Sequence, residues 1–420
     1  MFPNLVSKIF TFIFFSILLS SCAHREIEKK KDALIPFNTN SPIFEDHLPY
    51  QSLVLAIKNS IGQLKKDKFR ENHDYTIAFT TDEYVVILET LLKCGNSIQS
   101  FQLHLNEFLT PFQVYGKDKI GEILLTSYYE PLLQGSLKKT KNHSIPLYNR
   151  PKNLVEIKMS QFQENLYGEI ETKRGVISAQ LTTDENGDLQ ITPLPSREEI
   201  DFKGALKGKN LEIVWVDPIE AFFLHIQGSG RIQLENGKSF TVGYHGQNGM
   251  KYEAIGKFLK DDIPIEKMSL QAIEEVLRTK YKDRLKDILS LNPSYIFFKK
   301  IDGRARTTLG PEVTDRRTVA VDSSLFSLGL IGHLQYPQLQ ISDEGAIVDE
   351  SKAPVSHFIV NQDTGGAIKS AGRADLFWGS GNEGKLMAGH MRHPAKLTYF
   401  LPQTEVLTKI RNGQSLACLK

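Results

Sequence analysis

Two dipeptides, Asn186-Gly187 and Asn236-Gly237, constrain the fold of this chain more than any other feature. Asn-Gly fits the two-residue turns whose backbone twist matches that of a pair of antiparallel strands, so each marks a hairpin. Short apolar stretches surround them: 175–181, 211–216, 222–226, 231–234 and 240–244. Bounded by turn residues, all five read as strands. The span from about Leu132 to Asp262 is therefore expected to be one β-rich unit, a small barrel.

The flanks read differently. Leu53, Ile57, Ile61 and Leu64 recur at helical spacing, as do apolar residues over 84–92 and Phe101, Leu105 and Phe108 over 97–109, with a break at Cys94-Gly95-Asn96. A further helical stretch over 269–291 ends at Asn292-Pro293. Beyond it, 295–298, 318–322, 339–341, 355–360 and 397–401 read as strands of a second barrel. The fold class is mainly β with N-terminal helices. Of the 420 residues 40% are hydrophobic and 24% charged, with 51 Lys plus Arg against 49 Asp plus Glu, so nothing in the charge favours nucleic acid as a partner.

The N-terminal run Ile9–Leu19 is too short to span a bilayer and has the length of a signal-peptide core. Leu19-Ser20-Ser21-Cys22 resembles a bacterial lipobox, which implies a signal peptide over 1–21 and a lipid on Cys22. Ala23 after it resembles lipoproteins sent to the outer membrane, facing the periplasm. Residues 22–41, with Glu26 to Lys31, read as a flexible lipidated tether. Cys94 and Cys418 either pair in an oxidising compartment or stay two separate thiols.

The densest chemistry lies between Asp363 and Gly381. Two carboxylates, Asp363 and Asp375, stand among glycines, Trp378 and short apolar pieces that include Ala367, Ile368, Leu376 and Phe377, read as two short strands each carrying an Asp. A carboxylate sheltered from water has its neutral form favoured and can act as a general acid. The plainer possibility is that both aspartates cap turns. Metal chemistry fits poorly, because His225, His245, His390 and His393 have no His-Glu-x-x-His spacing, and no Gly-x-Ser-x-Gly elbow occurs. The Gln227-Gly-Ser229-Gly turn lacks the lysine and spacing of a phosphate loop, and suits sugar contacts better. No cofactor is called for.

Several blocks resemble the membrane-bound lytic murein transglycosylase A family. They are Asp322 in Thr-Val-Ala-Val-Asp, Asp-Thr-Gly-Gly-Ala-Ile-Lys from Asp363, Arg-Ala-Asp-Leu-Phe-Trp-Gly-Ser-Gly around Asp375, Thr126-Ser-Tyr-Tyr-Glu-Pro131, Gln227-Gly-Ser-Gly, and the stretch from Val242 to Gly256. Ser127 stands where the family has glycine, and Ser327-Leu-Gly329 replaces Pro-Leu-Gly, so loop shape is open at both. The resemblance implies a double-psi β-barrel catalytic domain over 42–131 and 263–420, with the three-aspartate motif at 318–385. It also implies an inserted β-barrel domain over 132–262.

By the same resemblance Asp375 is a single acid/base, with Asp363 supporting it through site shape and charge. Asp322 either acts similarly from further off or only binds loop amides. Thr126, Tyr128, Tyr129 and Glu130 would form one wall of a glycan groove, and Gln227, Ser229 and Asn248 the other. The partner would be peptidoglycan, cleaved to 1,6-anhydro ends by a monomer. Two alternatives stay open: a water-using muramidase with an Asp363/Asp375 pair, and a non-catalytic wall-binding lipoprotein.

Overall fold

The computed structural model describes residues 27, 29–37, 43–116, 121–158, 176–341 and 347–419. The expected signal segment and Cys22 lie outside them. Helix α1 (Lys30–Ala33) and strand β1 (Leu34–Pro36) come first. Ile27, Ala33 and Leu34 are buried in the main core, so this part of the expected tether belongs to the folded body. Next are α2 (Tyr50–Leu64), a small hairpin of β2 (Asn72–Asp74) and β3 (Ala78–Thr80), α3 (Thr81–Cys94) and α4 (Ile98–Phe108). Helix α3 starts where its pattern predicts, because Thr80 and Glu83 form a reciprocal capping box. A Cys94–Cys418 disulfide ties α3 to the chain's last residues.

Strands β4 (Leu109–Val114) and β5 (Glu122–Glu130) lead out of this region, and the chain then enters a second body. There β6 (Leu132–Ser136), β7 (Ile145–Tyr148), β8 (Leu154–Lys158), β9 (Val176–Thr183), β10 (Leu189–Thr192) and β11 (Glu212–Val216) precede helix α5 (Pro218–Gln227). The hairpin of β12 (Ser229–Leu234) and β13 (Ser239–Gln247) turns at Asn236-Gly237 as expected, and β9 and β10 flank Asn186-Gly187. Helices α6 (Leu270–Thr279) and α7 (Leu285–Leu289) follow, then β14 (Ile296–Ile301). Six of the strands form a sheet in the order β14-β13-β12-β6-β11-β7, and a bridge between Asn149 and Phe298 joins its two edges.

Two expectations change here. The 222–226 stretch is helix α5, not a strand. Asp217 accepts hydrogen bonds from the amides of Ile219 and Glu220, Pro218 occupies the first turn, and Gly228 closes the helix at φ 83°. The expected boundary at 262 also moves. Strand β14 pairs with β13, and Leu277, Ile288 and Leu289 pack against Ile219, Phe222 and Phe223, so the second body extends to Ile301.

The chain then returns with β15 (Thr318–Ala320), β16 (Ile331–Ile341), β17 (Ile347–Asp363), β18 (Arg373–Ser380), α8 (Gly381–His390), β19 (Arg392–Pro402) and α9 (Thr404–Arg411). Strand β5 pairs in parallel with β18, and the order continues β18-β15-β17-β16-β19 until β19 meets β5 again, closing a ring of six strands. Strands β4 and β1 extend it along β19. Leu125, Val319, Leu334, Ile359, Leu376 and Leu397 fill the core it shares with Leu53, Leu88 and Phe101 of the helices. Ala367 and Ile368 lie in the turn between β17 and β18, and α8 carries no sequence signal that had marked it as helix.

Candidate active site

Asp375 sits in mid-strand on β18, opposite Thr126 of β5 across the parallel pairing. The Thr126 hydroxyl donates to Asp375 Oδ1 at 2.8 Å. A cavity of about 260 Å³ opens beside them, near the lower end for ligand sites. Thr126, Tyr128 and Asp375 line it from the ring, Phe223, Ile226 and Gln227 from α5, Leu270 and Ile273 from α6, and Ala388 and Gly389 from α8. The carboxylate therefore faces a space between the two bodies, with an apolar wall opposite.

That wall has an electrostatic result. Burial is the largest influence on Asp375 and pushes its pKa up to about 6; the Asp363 charge adds to the rise, while the Thr126 hydrogen bond and the Arg373 charge oppose it. At pH 7 roughly one Asp375 in ten is thus protonated and able to donate, far more than for a carboxyl at its ordinary value.

Asp363, at the end of β17, is engaged at both oxygens. Oδ2 accepts from the Tyr128 hydroxyl at 2.9 Å, and Oδ1 from the Thr308 amide (2.9 Å), the Thr308 hydroxyl (2.8 Å) and the Thr364 amide (2.9 Å). Tyr128 stays protonated because burial, then the Asp363 charge, raises its pKa far above that of a free phenol. Its ring meets the edge of Phe377 at 5.1 Å. Asp322 binds the Ser324 amide and hydroxyl and the Ser370 amide, which is loop bracing.

The other expected contacts separate by strand alternation and burial. Thr126, Tyr128 and Gln227 reach the cavity. Tyr129 is 5% exposed and points the other way, toward Glu274 and Glu220, while its amide donates to Gln227 Oε1. Glu130 is buried and accepts from the Ala305 amide. Asn248 is buried, its side chain donating to the carbonyls of Pro195 and Pro293 and accepting from Met250 and Tyr295 amides. Ser229 is half-buried at the start of β12 beside Gly243. Tyr129, Glu130 and Asn248 thus depart from their expected groove roles: all three are buried and none lines the cavity, and the side chains of Glu130 and Asn248 already bind the chain.

The cavity wall from α5, α6 and α8 was not foreseen. The Asp217-Pro218 start and Gly228 stop of α5 were legible; nothing comparable marked α8. Ser127 at the unusual position keeps regular strand geometry and donates to the Met387 carbonyl of α8 at 3.2 Å.

Thr126→Val tests the hydrogen bond on Asp375. That bond favours the ionised form, so its loss is expected to raise the Asp375 pKa further, read by titrating the side-chain carboxyl signal of the folded variant against the parent.

A chain with two β bodies and a sheltered acid between them belongs to a known class. Residues 124–299 match the MltA specific insert domain, and residues 317–401 match the 3D domain. The first match ends at Lys299, two residues before the end of β14 of the second body. The membrane-bound lytic murein transglycosylase A of Vibrio cholerae is 27% identical over 286 residues, 67% of this chain and 66% of that protein, so the match spans just under two thirds of the relative. A membrane-bound lytic murein transglycosylase from Agrobacterium tumefaciens is similar in structure, with a TM-score of 0.70 at 27% identity over 86% of this chain and 94% of that one. The MltA structure of E. coli shares the fold, with a TM-score of 0.63 at 21% identity over 89% of this chain and 96% of that one.

The chain belongs to the membrane-bound lytic murein transglycosylase A family. The relatives are named for lytic murein transglycosylases, peptidoglycan-degrading lyases.

Proposed function

We propose that the protein is a peptidoglycan lytic transglycosylase that cleaves the β-1,4 bond between N-acetylmuramic acid and N-acetylglucosamine with Asp375 as its single acid/base. Asp375 protonates the glycosidic oxygen as the C1–O bond breaks. The muramic C6 hydroxyl then attacks C1 and returns its proton to Asp375, closing a 1,6-anhydro ring with no water consumed. An internal nucleophile avoids the entropy cost of recruiting water. Asp363 supports the acid by its charge and by holding Tyr128.

The observation that carries this reading is Asp375 itself, raised to about 6 beside an inter-body cavity. The occupied oxygens of Asp363 argue against its use as a base for water, and so against a muramidase. E. coli MltA has been solved with bound chitohexaose, which supports a saccharide as the ligand here.

In this reading the six-strand ring is the double-psi barrel and the 132–301 body an inserted barrel. The protein acts as a monomer, held by lipid on Cys22 at the outer membrane and facing the periplasm. The Cys94–Cys418 bond suits such an oxidising compartment. Among the described residues no helix is long and apolar enough to cross a membrane. Mass spectrometry of muropeptides released from purified sacculi decides the reaction: 1,6-anhydro products, lighter by one water than hydrolysis products, are expected. Hydrated reducing ends would replace the transglycosylase by a muramidase.

A further inference from the structure

Helix α8 is poorly held by apolar packing, since only Gly384 and Met387 among its ten residues are buried. It nevertheless supplies Ala388 and Gly389 to the cavity beside Asp375. Polar contacts and two close approaches fix it instead.

On the ring side, Ser127 donates to the Met387 carbonyl. A Cβ on Gly384 would lie 3.1 Å from the Gly379 carbonyl oxygen and 3.3 Å from Tyr129 Cβ, so the helix sits tightly on β5 and β18. On the other side, α6 of the second body reaches across. Gln271 Nε2 donates to the Lys385 carbonyl at 2.9 Å, and Lys385 Nζ lies 2.8 Å from Glu274 Oε2.

A Cβ on Gly389 would fall 2.0 Å from Gln271 Oε1, so glycine is what lets this side chain settle against the helix. Arg278 continues the chain of contacts, binding Glu274 at 3.0 Å and Asp217, the cap of α5, at 3.2 Å. All three helices bordering the cavity are thereby joined through one run of polar groups that spans the two bodies.

We propose that Gln271, Lys385 and Glu274 form an inter-body clasp that sets the width of the cavity opposite Asp375, and so positions the bound saccharide. The inference rests on the glycan-cleaving reading of the site. None of the three residues takes part in proton transfer. They act by holding α8 against α6, which fixes the spacing between the Leu270–Ile273 wall and the acid. Releasing them loosens the grip on a sugar more than it slows bond cleavage once the sugar is seated.

The test uses Gln271→Ala, Glu274→Gln, Lys385→Met and the Glu274→Gln/Lys385→Met double variant in the whole lipid-free protein, with Lys385→Arg as the conservative control. Initial rates on solubilised glycan strands give kcat and KM, and thermal unfolding is followed alongside. For each single variant KM is expected to rise about fivefold, the scale of one partly exposed polar contact, with kcat within about twofold. The double variant is expected to be no worse than the singles, and Lys385→Arg to keep the parent KM.

Unchanged KM in all variants overturns the clasp, as do additive losses in the double variant or losses that follow the melting temperature alone. If Asp375→Asn is inactive while the clasp variants match the parent, the catalytic reading stands and the clasp falls. If the parent yields no anhydro product, dissociation constants for purified sacculi decide instead: a fivefold weakening supports the clasp, and equal affinity overturns it.

Discussion

Asp375→Asn is expected to abolish release of anhydro-muropeptides, with kcat lower by at least about 10³-fold, because the proposed mechanism uses one group as both acid and base and each role contributes on the order of 10²-fold or more. Binding to sacculi is expected to persist, since the amide keeps the shape of the side chain. A variant that still clears sacculi at the parent rate removes Asp375 from the mechanism. The parent should also lose activity with rising pH, because the reaction begins from the protonated acid. With a pKa of about 6, kcat/KM falls roughly tenfold per pH unit well above that value.

The same shift predicts that stability, like activity, falls as pH rises through this range. The folded pKa of Asp375 lies above the ordinary value of 3.8, so its contribution to stability is fully present below that value and is lost as pH rises through about 6. At pH 8 the fold carries a sheltered negative charge that asparagine does not have. The shift corresponds to an upper bound of about 3 kcal/mol, and the partly exposed edge of the side chain reduces it to about 1–2 kcal/mol. Asp375→Asn should therefore melt higher than the parent at pH 8 and no higher at pH 4. Calorimetry at the two pH values checks both signs.

The second large effect is expected far from the cavity. Asp46 and Arg317 form an ion pair at 2.7 Å with both side chains fully buried. Arg317 also donates to Ser52 Oγ and to the carbonyls of Pro49 and Phe358, so it fastens the approach to α2 onto the ring just ahead of β15. Burial is the largest influence on the guanidinium and lowers its pKa, with Asp46 opposing the loss of charge. Asp46→Ala strands that cation and is expected to cost about 3–5 kcal/mol, the range for breaking a buried pair. For a protein of this size the melting temperature should drop by roughly 5 °C, with kcat of the folded fraction unchanged. Replacing both partners by apolar residues of similar volume should recover most of the loss; failure to recover any would mean that the pair is not the cause.

How much of this could be read from the chain depends on the range of the interaction. The α2, α3 and α4 stripes and the Asn236-Gly237 hairpin are local and came through intact. Apolar run 222–226 has no period that separates a buried strand from a buried helix, and only its flanking caps distinguish them. Tyr128 and Tyr129 were assigned to one wall, although neighbours on a strand face opposite sides. Of the pair, Tyr128 lines the cavity and Tyr129 is turned into the protein. Asn248 and Glu130 are the residue types that bind sugars, yet equally the types that satisfy buried backbone, and the sequence carries no mark of which partner wins. The acid itself stood out because glycines and an apolar run accompany it. Its surroundings did not, since α8 reaches the site through glycine contacts with no apolar period.

Thr126 and Asp375 are 249 positions apart, and they meet only because β5, the first strand of the ring, pairs in parallel with β18. A chain caught midway through folding possesses both residues but neither their contact nor the dry wall, and there the aspartate titrates like any carboxylate in water. On the proposed mechanism the acid is therefore assembled only when β18 docks on β5, so an incompletely folded copy holds no raised carboxyl to use on a glycan.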